Sequence, residues 1–457
     1  MGAKYQAYPE YKDSGVEWLG DVPTHWFSTK IKYGYDITLG KMLQKEAKSS
    51  EDRLRPYLKA VNIQSHGVSL EQVGKMWFSP SDLRSLKLID GDVLISEGGD
   101  VGRSAIWRNE LPDCYIQNAI NRARPKMNRS SRFLFYWLNM LKSSEYIDIL
   151  CNKATIAHYT AEKVENSPLY IPSDEEAEKI ANFLDHETAK IDTLIEKQQQ
   201  LIKLLKEKRQ AVISHAVTKG LNPNAPMRDS GVEWLGEVPE HWAVGRYKFC
   251  TSRVVVGIAE AATHAYAEVG VPIIRSTNIR EEGLDTSGML YIKKEFAEKN
   301  DSKYLYANDV ITVRTGYPGT SAVIPDELNK SQCFTNLVST PMKNILPAFL
   351  SEYLNSHTGK SYFDLLGWGS AQKNISVPIL QNVPIAWPDE CEQSEIMSYV
   401  QSQRGRYTNL VGKAGEQITL LQERRTALIS AAVTGKIDVR NWQAPEPSDN
   451  QNKEVAA

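Results

Sequence analysis

Several loops of the sequence concentrate side chains that can form hydrogen bonds with DNA bases. Arginine pairs with guanine in the major groove, and asparagine and glutamine pair with adenine. Each such residue, taken singly, is more typical of a solvated surface, but their grouping predicts base-reading sites in these loops. The predicted DNA-contacting residues are Asn62, Gln64, Arg103, Gln117, Asn118, His158 and Tyr159 in the first half, and Arg275, Asn278, Arg314, Thr315, Tyr317, Lys373 and Asn374 in the second.

Basic residues of the first half could contact DNA phosphates, which position a protein on DNA without specifying sequence. The chain as a whole has a formal net charge of -2, whereas nucleic-acid-binding domains are commonly basic. Any DNA site must therefore be a local patch or be shared with a partner. The candidate phosphate contacts are Lys41, Lys45, Lys48, Arg53, Arg55, Arg122, Arg124 and Lys126.

The sequence contains no recognisable catalytic motif. A DNA methyltransferase would need a glycine-rich cofactor loop and an N-P-P-[YF] or D-P-P-Y tetrapeptide, and neither occurs. Gly359-Lys360-Ser361 resembles the end of a phosphate-binding loop, but Leu354 stands where its first glycine belongs. Three Pro-Asp pairs lack the following [DE]-x-K of a nuclease metal site. We expect a chain without catalytic, metal or cofactor sites of its own.

Composition indicates a folded chain of two to four domains, since 457 residues include 41% hydrophobic and 24% charged residues. No apolar run is long enough to span a membrane, and the N-terminus lacks a signal-peptide pattern, so we expect a cytoplasmic protein. The five cysteines and eight histidines show neither disulfide nor zinc-ligand spacing, which predicts reduced, mostly buried cysteines.

A sixteen-residue segment occurs twice, as YKDSGVEWLGDVPTHW from Tyr11 and as MRDSGVEWLGEVPEHW from Met227. We call each copy a cassette. The displacement of 216 residues from Tyr11 to Met227 shows that the chain is an internal duplication. Trp18, Leu19 and Trp26 are expected to anchor the first cassette as a structural lid, a role favoured over direct base contact by the tryptophans.

The region after each cassette combines strand-like and helix-like segments, which predicts an α+β fold. In the first copy these include strands near 55–63 and 92–96 and a helix near 132–142. The two copies share their framework, but EGGDVGRSA in the first becomes RTGYPGTSA in the second, and ATIAHYT becomes SAQKNIS. Different loops on one scaffold suggest two sites with different specificities, although surface loops also diverge without selection.

Each half ends in a long amphipathic helix with a heptad pattern, and the two patterns recur at the same displacement of 216 residues. Such helices depend on a partner, which predicts that they pack together as a spacer between two similar units. The predicted seam positions include Leu184, Ile191, Leu194, Leu201, Leu205 and Val212 in the first helix, and Val400, Tyr407, Leu410, Leu421 and Leu428 in the second.

Turn and proline signals give the expected domain boundaries. Residues 1–172 form the first cassette and the globular domain that follows it, and residues 173–220 form the first long helix. Residues 221–388 form a linker, the second cassette and the second domain, residues 389–438 form the second helix, and residues 439–457 are a disordered tail.

The tandem cassettes and the helix ends EKRQAVISHAVTKG and ERRTALISAAVTGK closely resemble the specificity subunits of Type I restriction-modification systems. The resemblance implies two target-recognition domains of mixed α/β fold, separated by a two-helix antiparallel coiled coil with pseudo-twofold symmetry. It further implies a non-catalytic protein that reads a bipartite double-stranded DNA target. Its partners would be two methyltransferase subunits that use S-adenosylmethionine, and restriction subunits that need ATP and magnesium.

The long helices offer a physical mechanism for setting the gap between the half-sites. A helix over roughly 175–216 would be about 60 Å long, comparable with one to two turns of DNA. Three alternatives remain open from the sequence. The chain could belong to a related system with a fused modification-cleavage subunit, be a self-sufficient DNA enzyme, or be a coiled-coil adaptor that contacts no bases.

Overall fold

The computed structural model describes residues 5–64, 67–151, 157–259, 263–366 and 374–444. The chain divides into two units: unit 1 comprises Met1–Lys197 and Gln417–Ala457, and unit 2 comprises Gln198–Glu416. Each unit therefore contains one cassette, parts of both long helices, and the residues between the cassette and the long helix that follows it, which we call the recognition region. Within the described residues, no helix is long and apolar enough to cross a membrane.

The recognition region of unit 1 is built on two small sheets. The larger is antiparallel, and Ala123 pairs with both Ile37 and Val93 across its centre. In the smaller sheet one neighbour of the middle strand is parallel and the other is antiparallel. In spatial order the larger sheet contains Ser104–Ile106, Val93–Ser96, Ile120–Pro125 and Tyr35–Leu39, and the smaller contains Tyr115–Ile116, Arg53–Leu58 and Gly74–Phe78.

Short helices cover these sheets. The longest, Ser131–Ser143, begins where the Ser130 hydroxyl accepts a hydrogen bond from the backbone N–H of Phe133, and it buries an apolar face that includes Trp137 and Leu141. A pair of two-residue strands, Ile63–Gln64 and Gly67–Val68, forms a hairpin. The other helices are Ile31–Gly34, Pro80–Ser85, Tyr146–Cys151 and Ala161–Asn166, with a 3₁₀ turn at Ala60–Asn62.

The strand predicted near 55–63 is shorter than expected. It occupies Arg53–Leu58 and is followed by the 3₁₀ turn. The turn forms because the side chain of Asn62 accepts a hydrogen bond from the backbone N–H of Lys59, which ends the extended conformation.

Unit 2 repeats this architecture. Its first sheet runs in the order Thr251–Val256, Leu337–Pro341, Val310–Thr312 and Ser321–Val323, and its second in the order Tyr266–Ala267, Leu290–Ile292, Val271–Ile274 and Gln332–Cys333, with a hairpin of Ile279–Arg280 and Gly283–Leu284. Its helices are Lys294–Lys299, Pro347–Asn355, His357–Leu366 and Val377–Gln381, with 3₁₀ turns at Tyr247–Phe249, Thr263–Ala265, Ser276–Asn278, Asp301–Lys303 and Asp326–Leu328. The predicted pair of similar mixed α/β domains is confirmed.

Each cassette forms a two-stranded hairpin and leads into a strand that pairs with the end of its recognition region. In unit 1 the hairpin joins Tyr11–Asp13 to Asp21–Pro23, and Phe27–Lys30 pairs with Pro168–Ile171. In unit 2 the corresponding pairs are Met227–Asp229 with Glu237–Pro239, and Ala243–Arg246 with Pro384–Trp387.

Two long helices, Asp174–Lys219 and Glu390–Val433, contribute to both units. We call them the first and second long helix. In unit 1 they run in opposite directions, because Phe183 packs against Trp442 while Asp192, further along, forms an ion pair with Arg425. In unit 2 the C-terminal part of the first helix shares an apolar cluster with the beginning of the second. The predicted antiparallel coiled coil is confirmed.

The helix seam differs from the prediction at three of the eleven predicted positions. Leu184, Ile191, Val400 and Leu428 are buried, and Leu205, Val212, Tyr407 and Leu421 are half-buried. Leu194, Leu201 and Leu410, in contrast, are 47%, 42% and 39% exposed, and their neighbours Ile195, Ile202 and Val411 are the more buried. The prediction is wrong at these positions because two apolar residues stand side by side at each of them. A heptad pattern, with spacings of three and four residues, can pass through either member of such a pair.

The C-terminal boundaries also change. The second long helix ends at Val433, and Gly435 follows it in the left-handed conformation with a φ of 71°. Val439 is buried, and Trp442 packs edge-on against Phe183 at 5.5 Å between ring centroids. Val439 and Trp442, which the prediction placed in a disordered tail, are therefore packed within unit 1, and residues 445–457 of the predicted tail lie outside the described residues.

Candidate nucleic-acid interface

Asn62 and Asn278 occupy equivalent buried turns, and their amide groups are used within the fold. Asn62 accepts a hydrogen bond from the backbone N–H of Lys59 at 2.8 Å and donates to the carbonyl of Ser69 at 2.8 Å. Asn278 does the same with Arg275 and Asp285, at 3.0 and 2.9 Å. Both side chains are buried. The prediction that they read bases is therefore wrong, because their amide groups are used in hydrogen bonds to the backbone of their own unit.

The structure brings Lys41, Gln117 and Asn118 together. Lys41 and Gln117 form a parallel β-bridge, and the backbone N–H of Asn118 donates to the carbonyl of Lys41 at 2.9 Å. The ammonium of Lys41 forms an ion pair with Asp82, so its charge is largely compensated. Lys45 is exposed nearby along the chain.

Gln64, Arg103 and Arg275 have side-chain hydrogen bonds to backbone carbonyls. Gln64 donates to Val61 at 2.6 Å, Arg103 donates to Ala60 at 3.0 Å, and Arg275 donates to Gly288 at 3.3 Å. The Nε atoms of both arginines are buried and have no hydrogen-bond partner among the described residues. Each of these arginines thus retains one buried donor that no described residue satisfies.

A turn of seven residues follows a buried strand in each unit, and we call these two segments the recognition turns: residues 97–103 and residues 314–320. His158 lies beside the first turn, with Nδ1 3.9 Å from the Glu97 carboxylate, and is half-exposed. In the second turn Thr315 forms a β-bridge with Asn374, and Tyr317 is 86% exposed at the tip. The turns therefore present a different set of polar groups in each unit.

Arg314 and Asn374 are in direct contact, because Arg314 Nε donates to Asn374 Oδ1 at 3.0 Å. Tyr159, by contrast, is completely buried, and its hydroxyl lies 2.6 Å from Ser167 Oγ. Burial raises the pKa of this phenol. The predicted DNA contact by Tyr159 is wrong because the ring belongs to the core, and Lys373 lies outside the described residues.

Glu97 is a candidate recognition residue that the sequence analysis omits. Burial raises the pKa of its carboxyl group, partly offset by the nearby His158. Its Oε2 atom is buried without a hydrogen-bond partner among the described residues. The signal is nevertheless present in the sequence, since aligning EGGDVGRSA with RTGYPGTSA places Glu97 opposite Arg314.

Two of the predicted phosphate contacts are structural. Arg122 is buried and donates to the carbonyl of Ser85 and to the Thr38 hydroxyl, both at 2.7 Å. Arg124 binds the buried carboxylate of Asp92 through two hydrogen bonds of 2.7 Å. Both guanidinium groups hold the larger sheet together and are not free to bind phosphate. Of the other candidates, Arg55 pairs with Asp113, Lys126 donates to the carbonyl of Lys32, and Lys48 and Arg53 are exposed.

Each cassette is tied to a long helix by a carboxylate, which is buried at Glu176 and half-buried at Glu392. Glu176 accepts hydrogen bonds from the Tyr8 hydroxyl at 2.7 Å, from Trp26 Nε1 at 3.1 Å and from His25 Nε2 at 2.9 Å. Glu392 accepts from Trp242 Nε1 at 3.1 Å and from His241 Nε2 at 2.7 Å. These residues are therefore positioned as structural anchors.

In the part of the chain that the structure describes, no group of three or more His, Cys, Asp or Glu side chains could hold a metal ion. All five cysteines are free, and only Cys391 is exposed. Burial raises the pKa of Cys114, Cys250 and Cys333 to about 12, so these thiols are poor nucleophiles near neutral pH.

Comparison with known proteins identifies relatives of both units. Residues 39–204 and 260–411 match the family model described as Type I restriction modification DNA specificity domain. The chain is 21% identical over 228 residues to the Type I restriction enzyme EcoKI specificity subunit of Escherichia coli K12, with 48% of each chain covered. It is 24% identical over 210 residues to the StySPI specificity subunit of Salmonella potsdam, with 44% of each covered. The matched region thus spans about half the length of these curated relatives.

A solved structure has a similar fold. It is described as "Structural basis underlying complex assembly and conformational transition of the type I R-M system", and it matches with a TM-score of 0.61. The match covers 91% of this chain and 99% of the other at 14% sequence identity. A likeness at this identity supports the architecture of both units.

Proposed function

Because the chain belongs to the family defined by the Type I restriction modification DNA specificity domain, we propose that it reads a split double-stranded DNA sequence. Each unit reads one half-site through its recognition region. The observation that carries this proposal is the repetition of one scaffold with different side chains in the recognition turns, EGGDVGR in unit 1 and RTGYPGT in unit 2. A chain with two recognition regions that carry different side chains is expected to bind a DNA target with two different half-sites.

The chemistry belongs to partner chains in this proposal. The specificity chain recruits two modification subunits that methylate DNA with S-adenosylmethionine, and through them restriction subunits that use ATP and magnesium. The chain itself is non-catalytic and acts in the cytoplasm. Basic groups of the partners would add the positive charge that this chain lacks, since its net charge is -2.

The DNA-contacting residues proposed here are those of the sequence prediction, except the three whose side chains are buried. Asn62, Asn278 and Tyr159 are removed from that set, and Glu97 is added. The proposed set is Lys41, Lys45, Gln64, Glu97, Arg103, Gln117, Asn118, His158, Arg275, Arg314, Thr315, Tyr317, Lys373 and Asn374.

The long helices act as the ruler that sets the gap between the half-sites. The first long helix has 46 residues, which corresponds to a length of about 69 Å at 1.5 Å per residue. Two recognition regions spaced by such helices could dock in major grooves one to two turns apart, with about 34 to 36 Å per turn. Removing one heptad from each helix should change the required gap and leave both half-site sequences unchanged. An unchanged gap in a methylation assay contradicts the ruler.

Mapping methylated bases in cells that express the chain with its modification subunits tests the function directly. The expected result is one split motif with a fixed gap, which disappears when this chain is deleted. The purified chain alone should transfer no labelled methyl group to DNA. A continuous motif contradicts the two-headed mechanism. Salt-sensitive binding without sequence preference, even with the modification subunits present, would indicate an adaptor that contacts no bases.

A further inference from the structure

The two recognition turns have the same backbone frame. In unit 1 the backbone N–H of Gly102 donates to the carbonyl of Ser96 at 2.9 Å, and the N–H of Ser96 donates to Arg103 at 2.8 Å. In unit 2 the N–H of Gly319 donates to Val313 at 2.9 Å, and the N–H of Val313 donates to Thr320 at 2.8 Å. The two turns therefore have equivalent backbone hydrogen bonds although their side chains differ.

Glycine is required at the same place in both turns. Gly102 and Gly319 have φ angles of 77° and 94°, which favour glycine. A Cβ at Gly102 would lie 2.6 Å from the side chain of Ile147, and one at Gly319 would clash with the ring of Phe363. Each turn thus packs closely against a buried apolar side chain, Ile147 in unit 1 and Phe363 in unit 2. This packing gives the side chains of the turn a defined position.

Glu97 and Arg314 occupy equivalent positions as the first residue of each turn. The carbonyl of Glu97 accepts from the backbone N–H of Tyr159 at 2.9 Å, and the carbonyl of Arg314 accepts from the N–H of Ile375 at 3.1 Å. The side chain of the preceding residue in each of these segments, His158 or Asn374, lies beside the Glu97 or Arg314 side chain. Equivalent positions of the fold therefore carry a carboxylate in unit 1 and a guanidinium in unit 2.

Both side chains have unused hydrogen-bonding capacity. Glu97 Oε2 has no partner, and Arg314 uses only Nε, toward Asn374, among the described residues. The Glu97 side chain keeps 14% of its surface exposed, although its Oε2 atom is buried, and Arg314 is half-buried, so part of each side chain reaches the surface of the turn. An ionised carboxylate only accepts hydrogen bonds, whereas a guanidinium only donates them.

We propose that these two residues read bases of opposite hydrogen-bonding character at corresponding positions of the two half-sites. Glu97 accepts a hydrogen bond from the N4 amino group of cytosine, and Arg314 donates to O6 and N7 of guanine. Adenine suits neither, because its N7 acceptor repels a carboxylate and its N6 amino group repels a guanidinium. Asn374 acts as a positioning residue that orients the guanidinium. The inference rests on the proposed function, since it names the bases that the two heads read.

Glutamine at both positions provides a matched test, because it has the shape to pair with N6 and N7 of adenine. The full chain, assembled with its modification subunits, is used to select duplexes from a pool in which both half-sites are randomised. Glu97→Gln should replace one cytosine by adenine in one half-site, and Arg314→Gln should replace one guanine by adenine in the other. The preference for the original base should fall by about five-fold to one-hundred-and-fifty-fold.

Exposed residues of the same types on the long helices provide controls. Glu196→Gln in unit 1 and Arg406→Gln in unit 2 should leave the selected motif unchanged. Glu97→Asp and Arg314→Lys keep the charge in each turn if the glutamine variants fold poorly. They should retain the original base with weaker discrimination, because the shorter acid and the single ammonium lose reach or bidentate geometry.

The outcomes separate this inference from the proposed function. If the variants weaken selection of all sequences equally, or change both half-sites, Glu97 and Arg314 have only structural roles and the inference is wrong while the split motif stands. If the natural chain with its modification subunits selects no motif, the proposed function itself is wrong. Thermal unfolding of each variant shows whether the fold is retained.

Discussion

Replacing Glu176 by alanine should destabilise unit 1 more than replacing Glu392 destabilises unit 2. Glu176 is buried and accepts hydrogen bonds from Tyr8, Trp26 and His25, whereas Glu392 is half-buried and accepts from Trp242 and His241. Both carboxylates join a cassette to the beginning of a long helix. The difference between them is one additional buried donor, the Tyr8 hydroxyl.

The expected loss of unfolding free energy follows from the number of buried hydrogen-bond donors that lose their acceptor. Each buried donor that loses its partner costs about 1–3 kcal/mol, and Glu176→Ala leaves two, on the buried side chains of Tyr8 and Trp26. We expect a loss of about 4 kcal/mol. Glu392→Ala leaves only the Trp242 indole buried and unpaired, because His241 is more than half exposed and can bind water. We expect a loss of about 2 kcal/mol.

Scanning calorimetry of the full chain, with hydrogen exchange to assign each transition to its unit, measures both effects. For a unit of this size about 1 kcal/mol shifts the Tm by about 2–4 °C, so unit 1 should melt about 8–16 °C lower and unit 2 about 4–8 °C lower. Glu175→Ala is the control, because its side chain is 80% exposed and pairs with Lys179 at the surface. It should stay within about 0.5 kcal/mol of the natural chain. A Glu176→Ala loss no larger than that of Glu175→Ala refutes the buried anchor.

Three further predictions test the hydrogen bonding and burial of individual side chains. Asn62→Ala and Asn278→Ala should each lower the unfolding free energy of their unit by about 1–3 kcal/mol, measured by urea denaturation, without replacing one selected base by another; a base switch contradicts their structural role. Ile195→Ala should cost at least about 1 kcal/mol more than Leu194→Ala in the same assay, and equal losses contradict the observed seam. A thiol reagent should label the folded chain rapidly at Cys391 alone and label all five cysteines in denaturant, and rapid labelling of Cys114 or Cys333 contradicts their burial.

Much of the architecture is predictable from order along the chain. The repeated cassettes and the heptad pattern appear as periodicities at a displacement of 216 residues, so two similar domains and paired helices follow without coordinates. The residues that form the interface between the two helices are harder to predict from the sequence. Leu194 and Ile195 are both apolar, and only the packing of the neighbouring helix selects Ile195 for the interface.

Prediction of the candidate site is weaker because residue type does not show where a hydrogen bond is used. Asn62 and Arg122 have the right chemistry for DNA, but the fold uses their polar groups internally through partners such as Ser69 and Ser85. Glu97 has an ordinary sequence context, and its unused carboxylate oxygen is visible only once burial is known.

The sequence by itself determined the duplication, the helical spacer and the family, because repeats and heptads are properties of linear order. Only the tertiary structure decided which polar side chains remain available at the surface and which face of each long helix is buried. The physical reason is that hydrogen-bond satisfaction and burial depend on partners that the fold brings together from distant parts of the chain, as it does for Glu176 with Tyr8 and Trp26.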